Sequence, residues 1–187
     1  MLQRLSPLPI PDWLSDTLKA RVNNWNTRLG QLQEAESKLR TLHNDVRTKP
    51  TSAAATKLQR DALEFVNAVE ALIAEAKELR GQLREEWRQE KDRLRNQRDA
   101  LVRARVEELA DFLGVEKLPE VESDRVYVIL VDAVALRPDV RQLENAIEEG
   151  ARLTDSWQDL VFSLPYVEHE LADLKQAVTP AVLAVNF

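Results

Sequence analysis

Six cations with helical spacing are the side chains of this sequence best suited to bind a partner. Their separations of 4, 3, 4, 3 and 7 residues place them on one face of a helix, within an arc of about 100°. They are Arg84, Arg88, Lys91, Arg95, Arg98 and Arg105. A cationic stripe of this kind suits the phosphate backbone of a nucleic acid or the acidic face of a protein.

The same stretch can also be an ordinary solvated helix. Arg88 lies four residues before Asp92, and Arg95 four before Asp99, a spacing at which opposite charges pair on a helix. Trp87 is the one aromatic residue between positions 84 and 105, so bases would find little to stack on. Three interpretations therefore stay open: a solvated face, a protein-binding surface and a nucleic-acid-binding surface.

Two leucines make the protein-binding interpretation the sharpest one. Leu94 and Leu101 form an apolar line one heptad apart, and the cations border it. An apolar line with a cationic margin is typical of a helix that packs against another helix with acidic flanks. We therefore predict a partner-binding surface made of Arg84, Arg88, Lys91, Leu94, Arg95, Arg98, Leu101 and Arg105.

Other kinds of chemistry find little support. The chain has no cysteine, which excludes disulfides and thiolate ligands. His43 and His169 are the only histidines, and neither has metal-ligand spacing around it. The four glycines are isolated, so no phosphate-binding loop is present, and no nucleophile motif accompanies the Ser, His and Asp residues. We expect no enzyme activity, no metal, no cofactor and no small-molecule ligand.

The helices that position these residues follow from a heptad pattern on either side of Pro50. Apolar residues recur with alternate steps of four and three from Leu18 to Val46, and again from Leu58 to Leu83. This period is typical of helices packed seam to seam, and the short break between them favours an antiparallel pair. The sequence predicts an all-α protein with a long, coiled-coil-like helical hairpin.

The two helices of this hairpin differ in length. We predict the first over residues 12–47 and the second from Ser52 to Gly114, with residue n of the first facing about residue 99 − n. Leu32 should then lie near residues 65–69, and Trp13 near Trp87. Beyond Trp87 the first helix has run out, so Leu94 should be uncovered and its loss should cost little.

Shorter elements follow the hairpin. Residues 123–137 predict a buried helix, with a strand over 126–131 as the alternative because β-branched residues are frequent there. Pro138 begins another helix, and Pro165 opens a last one that Thr179 and Pro180 end. The predicted organisation is an extended, proline-rich arm (1–11), a helical hairpin (12–114) and an acidic helical domain (115–187). Its uncharged tail, from Ala177 on, can dock in cis or into another chain.

Charge and hydropathy limit the partners and the cellular location that we expect for this protein. The net charge is −6, but Lys and Arg outnumber Asp and Glu 20 to 15 over residues 1–105 and are outnumbered 6 to 17 afterwards. The first residues lack the apolar core of a secretory signal, and no apolar run is long enough to cross a bilayer, so we expect a soluble, cytoplasmic protein. The expected function is that of a non-catalytic helical adaptor or structural subunit that binds a protein partner or itself. The alternative is a nucleic-acid-binding subunit that uses the basic ridge, residues 84–105.

Overall fold

The protein is all-α in the residues that the structure describes. The computed structural model describes residues 1–115 and 125–184, with Val161 and residues 179–184 described by their backbone alone. A short 3-10 helix at Leu2–Arg4 is followed by α1 (Asp16–Thr48), α2 (Ser52–Phe112), α3 (Arg125–Ala135) and α4 (Pro138–Ala184). No strand occurs in these ranges, so the all-α prediction is confirmed. Residues 126–131 belong to α3 and form a helix, not the alternative strand.

Side-chain caps explain where the long helices begin. Ser15 Oγ accepts a hydrogen bond from the Leu18 N–H at 3.3 Å, so α1 begins four residues later than predicted. Thr51 Oγ1 accepts from the Ala54 N–H at 3.2 Å and caps α2, which begins at Ser52 as predicted. The predicted extended arm is wrong at its start, because Leu2–Arg4 forms a 3-10 turn before the first proline can prevent one.

Gly114 ends α2 where the sequence predicts an end. Its φ of 70° lies in the left-handed region, which glycine adopts without the steric penalty of a Cβ. The Val115 N–H donates to the Ala110 carbonyl at 3.0 Å and the Gly114 N–H to the Asp111 carbonyl at 3.1 Å. These two bonds form a Schellman cap, which satisfies carbonyls that the helix leaves unpaired.

The predicted breaks after position 138 are wrong. α4 continues for 47 residues through Pro165 and Pro180. A proline removes one N–H and clashes with the preceding turn, but burial can outweigh that cost. Leu164 and Val167, on either side of Pro165, are both buried, so packing holds the helix together there.

Contacts group the chain into two compact units rather than along the predicted segments. The first unit contains Met1–Arg84 and Asp155–Phe187, and the second contains Glu85–Thr154. The helices α2 and α4 each contribute residues to both. Each unit is described by itself below.

In the first unit, α1 and α2 run antiparallel. Trp25 Nε1 donates to the Leu72 carbonyl at 3.1 Å, and Arg21 lies 3.1 Å from Glu78. Earlier residues of α1 thus contact later residues of α2, close to the predicted register. Leu32 and Phe65 line the same surface groove, again as that register requires. The coiled-coil detail of the packing stays a prediction.

The last part of α4 completes the first unit. Lys77 pairs with Glu168, and Glu70 lies 2.7 Å from Lys175, so α4 is antiparallel to α2. The core combines buried apolar residues of α1, α2 and α4 with leucines of the N-terminal arm. Trp13 packs edge-to-face on Trp157, with 5.7 Å between ring centroids. The predicted contact of Trp13 with Trp87 joins residues of different units and stays a prediction.

The second unit has a core of its own. One buried cluster unites α2, α3 and the start of α4, and its members are Val106, Ala110, Leu130, Val134 and Val140. Trp87 and Leu94 are also buried, with 7% and 6% of each residue exposed. The expectation that Leu94 is uncovered is therefore wrong, because the chain after α3 returns and packs on this part of α2.

This burial makes a prediction about two leucines of α2. Leu72→Ala and Leu94→Ala should each lower the free energy of unfolding by about 2–5 kcal/mol, because each deletes buried methyl groups and leaves a cavity. Chemical denaturation of both variants measures the losses. A loss below about 1 kcal/mol for Leu94→Ala alone would mean that its cover is not part of the folded monomer.

The close packing at Gly150 leads to a second prediction about the free energy of unfolding. A Cβ at this position would lie 2.1 Å from the Trp87 ring, so the indole packs directly on the backbone of α4. Gly150→Ala should lower the free energy of unfolding by about 1–3 kcal/mol through overpacking. Gly81→Ala is the matched control: nothing lies within 4 Å of its Cβ, and it should gain about 0.5–1 kcal/mol. Equal effects of the two substitutions would contradict the close contact.

Candidate functional site

The predicted cations lie on α2, but three of them are engaged by carboxylates. Arg88 pairs with Glu85 and Arg98 with Asp99, each at 2.7 Å. These pairs replace the predicted pairing of Arg88 with Asp92 and of Arg95 with Asp99. Exposed pairs of this kind contribute little to stability, but they reduce the positive field of the face.

Arg105 is the third engaged cation, and it holds the second unit together. Its guanidinium lies 2.9 Å from Asp139 and 2.7 Å from Glu108, and these hydrogen bonds raise the pKa of Arg105. Partial burial would raise the pKa of Asp139, but hydrogen bonds from Arg105 and from the Val140 N–H lower it overall. Arg105 therefore links α2 to the first turn of α4.

The remaining cations are the available ones. Arg84, Lys91 and Arg95 make no ion pair within residues 1–115 and 125–184. Arg84 and Arg95 are exposed, and Lys91 is half-buried. Only half of the cations of the predicted ridge are thus without an ion pair in the described ranges.

The apolar line of the predicted site serves the interior instead. Leu94 is buried, and Leu101 packs against the core cluster of the second unit. These two leucines are not available as an open seam for a partner.

An apolar surface that sequence reasoning missed lies on α3. Val126, Ile129 and Ala133 of α3 and Leu136, the first residue after it, are named here the α3 face; they follow one another by three, four and three residues, and all are exposed. Ile129 and Leu136 each expose 66%. The prediction of a fully buried helix is wrong, because only the opposite side of α3, with Leu130 and Val134, reaches the core.

The sequence marks this face only weakly. Arg125 and Asp132, seven residues apart, lie on the exposed side of α3, but aliphatic residues occupy most of that side as well. Phe112 and Leu113, at the end of α2, are exposed as well, by 85% and 59%.

A buried carboxylate in the first unit is the other feature that was missed. Glu36 is 7% exposed and accepts hydrogen bonds from the Met1 ammonium at 3.0 Å, the Leu2 N–H at 2.9 Å and Arg40 at 2.6 Å. The Met1 ammonium also lies 3.2 Å from Glu170 of α4. Glu36 and Glu170 thus fix the start of the arm between α1 and α4.

Side-chain amides of α1 hold the rest of the arm. Gln33 donates to the carbonyls of Leu2 and Leu5, both at 3.0 Å. The Asn26 amide exchanges two hydrogen bonds with the Leu8 backbone, at 2.7 and 2.9 Å. The leucines between these anchors are buried, so the arm is an integral layer of the first unit. Its partners are distant in sequence, so no local pattern could indicate them.

The described part of the chain holds no group of three His, Asp or Glu side chains that could bind a metal ion. His169 lies 3.9 Å from Asp173 on the exposed side of α4. None of the described helices combines the length and the apolar character needed to cross a membrane.

Comparison with known proteins adds no assignment. No family model, no curated protein and no solved structure matches this chain. The surfaces of the two units are therefore the evidence on function.

The contacts of Glu36 predict acid-dependent stability. Burial alone would raise the pKa of Glu36, but hydrogen bonds from Arg40, the Met1 ammonium and the Leu2 N–H lower it overall. A carboxyl with a lowered pKa in the folded state stabilises the fold above its unfolded pKa, and this stabilisation is lost as the pH falls through the folded pKa. Glu36→Gln should therefore be less stable than the wild type at neutral pH, and the difference should shrink in acid.

Urea unfolding of both proteins from about pH 7 to about pH 3 measures this difference, because the range spans the titration of a carboxyl group. Glu64→Gln is the control, since Glu64 is exposed in the same unit and makes no ion pair within residues 1–115 and 125–184. It should leave the pH dependence nearly unchanged. A difference between Glu36→Gln and the wild type that stays constant over this range would contradict the ionised, hydrogen-bonded carboxylate.

Proposed function

We propose that this protein is a non-catalytic helical adaptor or structural subunit that binds a protein partner through the α3 face. The single observation that carries the proposal is the exposure of large aliphatic side chains in a row on α3. Val126, Ile129 and Leu136 expose 46%, 66% and 66%. Contiguous exposed apolar rows of this kind are typical of protein-binding surfaces.

Helical spacing indicates what the partner presents. Residues three and four apart lie on one side of a helix, so the α3 face is a stripe about three turns long. A stripe of aliphatic side chains fits the apolar face of another helix, which buries it by ridge-and-groove packing. Phe112 and Leu113 are further exposed apolar residues of the same unit that a partner can bury.

The cations of α2 support a secondary role in the same assembly. Lys91 and Arg95 have no ion pair in the described ranges, so they can pair with acidic flanks of a partner. Such pairs mainly set orientation and association rate. Because Arg88, Arg98 and Arg105 are engaged, the ridge is less suited to a phosphate backbone than its sequence indicates. We propose that the protein performs this function in the cytoplasm.

A double substitution on α3 tests the proposal. Ile129→Glu with Leu136→Glu should abolish self-association or co-purification of a partner, because two carboxylates cannot enter an apolar interface unpaired. Far-UV circular dichroism should stay unchanged, since both side chains are exposed. Sedimentation velocity measures self-association, and quantitative co-purification from source cells compares the variant with the wild type.

The control adds the same charge at another place. Gln142→Glu with Asn145→Asp changes two exposed residues of α4 in the same unit and should behave like the wild type. Equal loss in both double variants would mean that charge alone matters, and no loss in either would contradict the α3 face as the interface. Binding of a labelled DNA duplex with a steep salt dependence, lost in the triple variant Lys91→Glu, Arg95→Glu, Arg98→Glu, would favour the nucleic-acid alternative.

A further inference from the structure

A second apolar surface lies in the first unit, near the turn between α1 and α2. It is a groove of about 830 Å³ between the last turns of α1, the first turns of α2 and residues 170–178 of α4. Its apolar lining includes Leu39, Leu58, Phe65 and Leu174. Clefts of this volume hold ligands of drug size, so the groove has room for a few side chains rather than for a whole helix.

The N-terminal arm indicates what this surface accepts. The arm lies along α1 and contacts Glu170 of α4, and its buried leucines, Leu2, Leu5 and Leu8, are three residues apart. One end of the groove lies beside Met1 and Glu36, where the arm begins. The turns of α1 and α4 that follow Glu36 and Glu170 line the rest of the groove. It therefore continues an interface that already holds a leucine-rich segment without α-helical structure.

Polar groups in the groove support the same kind of occupant. The side-chain amides of Asn44 and Gln59 line it and make no hydrogen bond within the described part of the chain. Amides of Asn26 and Gln33 hold the backbone of the arm in the same way. Free amides beside apolar walls suit a peptide, which brings backbone donors and acceptors along with its side chains.

The charges of the groove are already balanced. Glu36 and Glu170 face the Met1 ammonium, and Arg40 pairs with Glu36 at 2.6 Å. A charged occupant would have to leave one of its groups unpaired, which is costly in an apolar site. The balance favours an uncharged segment.

We propose that this groove binds an uncharged, leucine-rich peptide segment of a partner protein in a conformation like that of the arm, a 3-10 turn followed by extended residues. Leucines three residues apart enter the apolar lining, and Asn44 and Gln59 bind the peptide backbone. The site is separate from the α3 face, so the proposal does not depend on the function proposed above.

A synthetic peptide tests this proposal directly. The probe is a fluorescent, acetylated and amidated peptide LQQLSPL, which copies the spacing of the arm without its charges. The tethered arm has an effective local concentration in the millimolar range, so micromolar probe does not displace it from its own place. Fluorescence anisotropy with the full chain should show saturable binding, and the same peptide with serine for each leucine should not bind.

Two alanine positions provide the matched variants. Ala55 lines the groove and is exposed, so Ala55→Trp should fill the groove without disturbing the fold. It should weaken binding at least about tenfold, the effect of losing about 1.4 kcal/mol of binding free energy. Ala53 is exposed and lies outside the groove, so Ala53→Trp should bind like the wild type. Absence of saturable binding to the wild type, or binding to Ala55→Trp as tight as to the wild type, would overturn the proposal.

Two further measurements decide between occupants. Gln59→Leu should weaken peptide binding, because a backbone contact is lost; unchanged or tighter binding would overturn the proposed contact between Gln59 and the peptide backbone. Sedimentation of the wild type and Ala55→Trp should show the same mass. A dimer that Ala55→Trp converts into monomer would assign the groove to a second copy of this chain instead.

Discussion

The unequal length of its helices is the constraint on which the rest of this structure depends. α1 has 33 residues and α2 has 61, so α1 can cover only part of the apolar side of α2. Burial of apolar surface is the main driving force of folding, so the remaining positions need another cover. α4, with 47 residues, contributes that cover in both compact units. The burial of Leu164 and Val167 explains why the helix persists through Pro165.

Specific polar contacts decide how the layers are fixed. In the first unit, Glu36 of α1 binds the start of the arm. Its burial is tolerated because three donors satisfy the carboxylate. In the second unit, Arg105 links α2 to Asp139 at the start of α4. Both sites remove a charge from the set of groups that are free to bind a partner. Structural demands thus account for part of the charge pattern that could be mistaken for a binding site.

The surfaces that remain are apolar rather than cationic. A chain with four long or medium helices cannot bury every aliphatic residue, and single exposed residues need no explanation. A row such as the α3 face differs, because its members adjoin one another along one side of a helix. The groove beside Glu36 differs in another way, since it continues the surface of α1 and α4 on which the N-terminal arm packs. These two surfaces are the ones at which we propose that other proteins bind.

The sequence by itself determined the helical class, the ends of α2 and the register of α1 on α2. Heptad spacing, a threonine cap and one glycine are local properties, and local properties can be recognised without knowing the fold. Only the tertiary structure decided that the aliphatic residues beside Arg125 and Asp132 on α3 stay exposed, that Leu94 is covered and that Arg105 is engaged by Asp139. It also decided the place of Glu36, whose partners in the arm are more than thirty residues away in sequence. Each of these depends on where a distant segment packs, and the energy of that packing is absent from any local pattern.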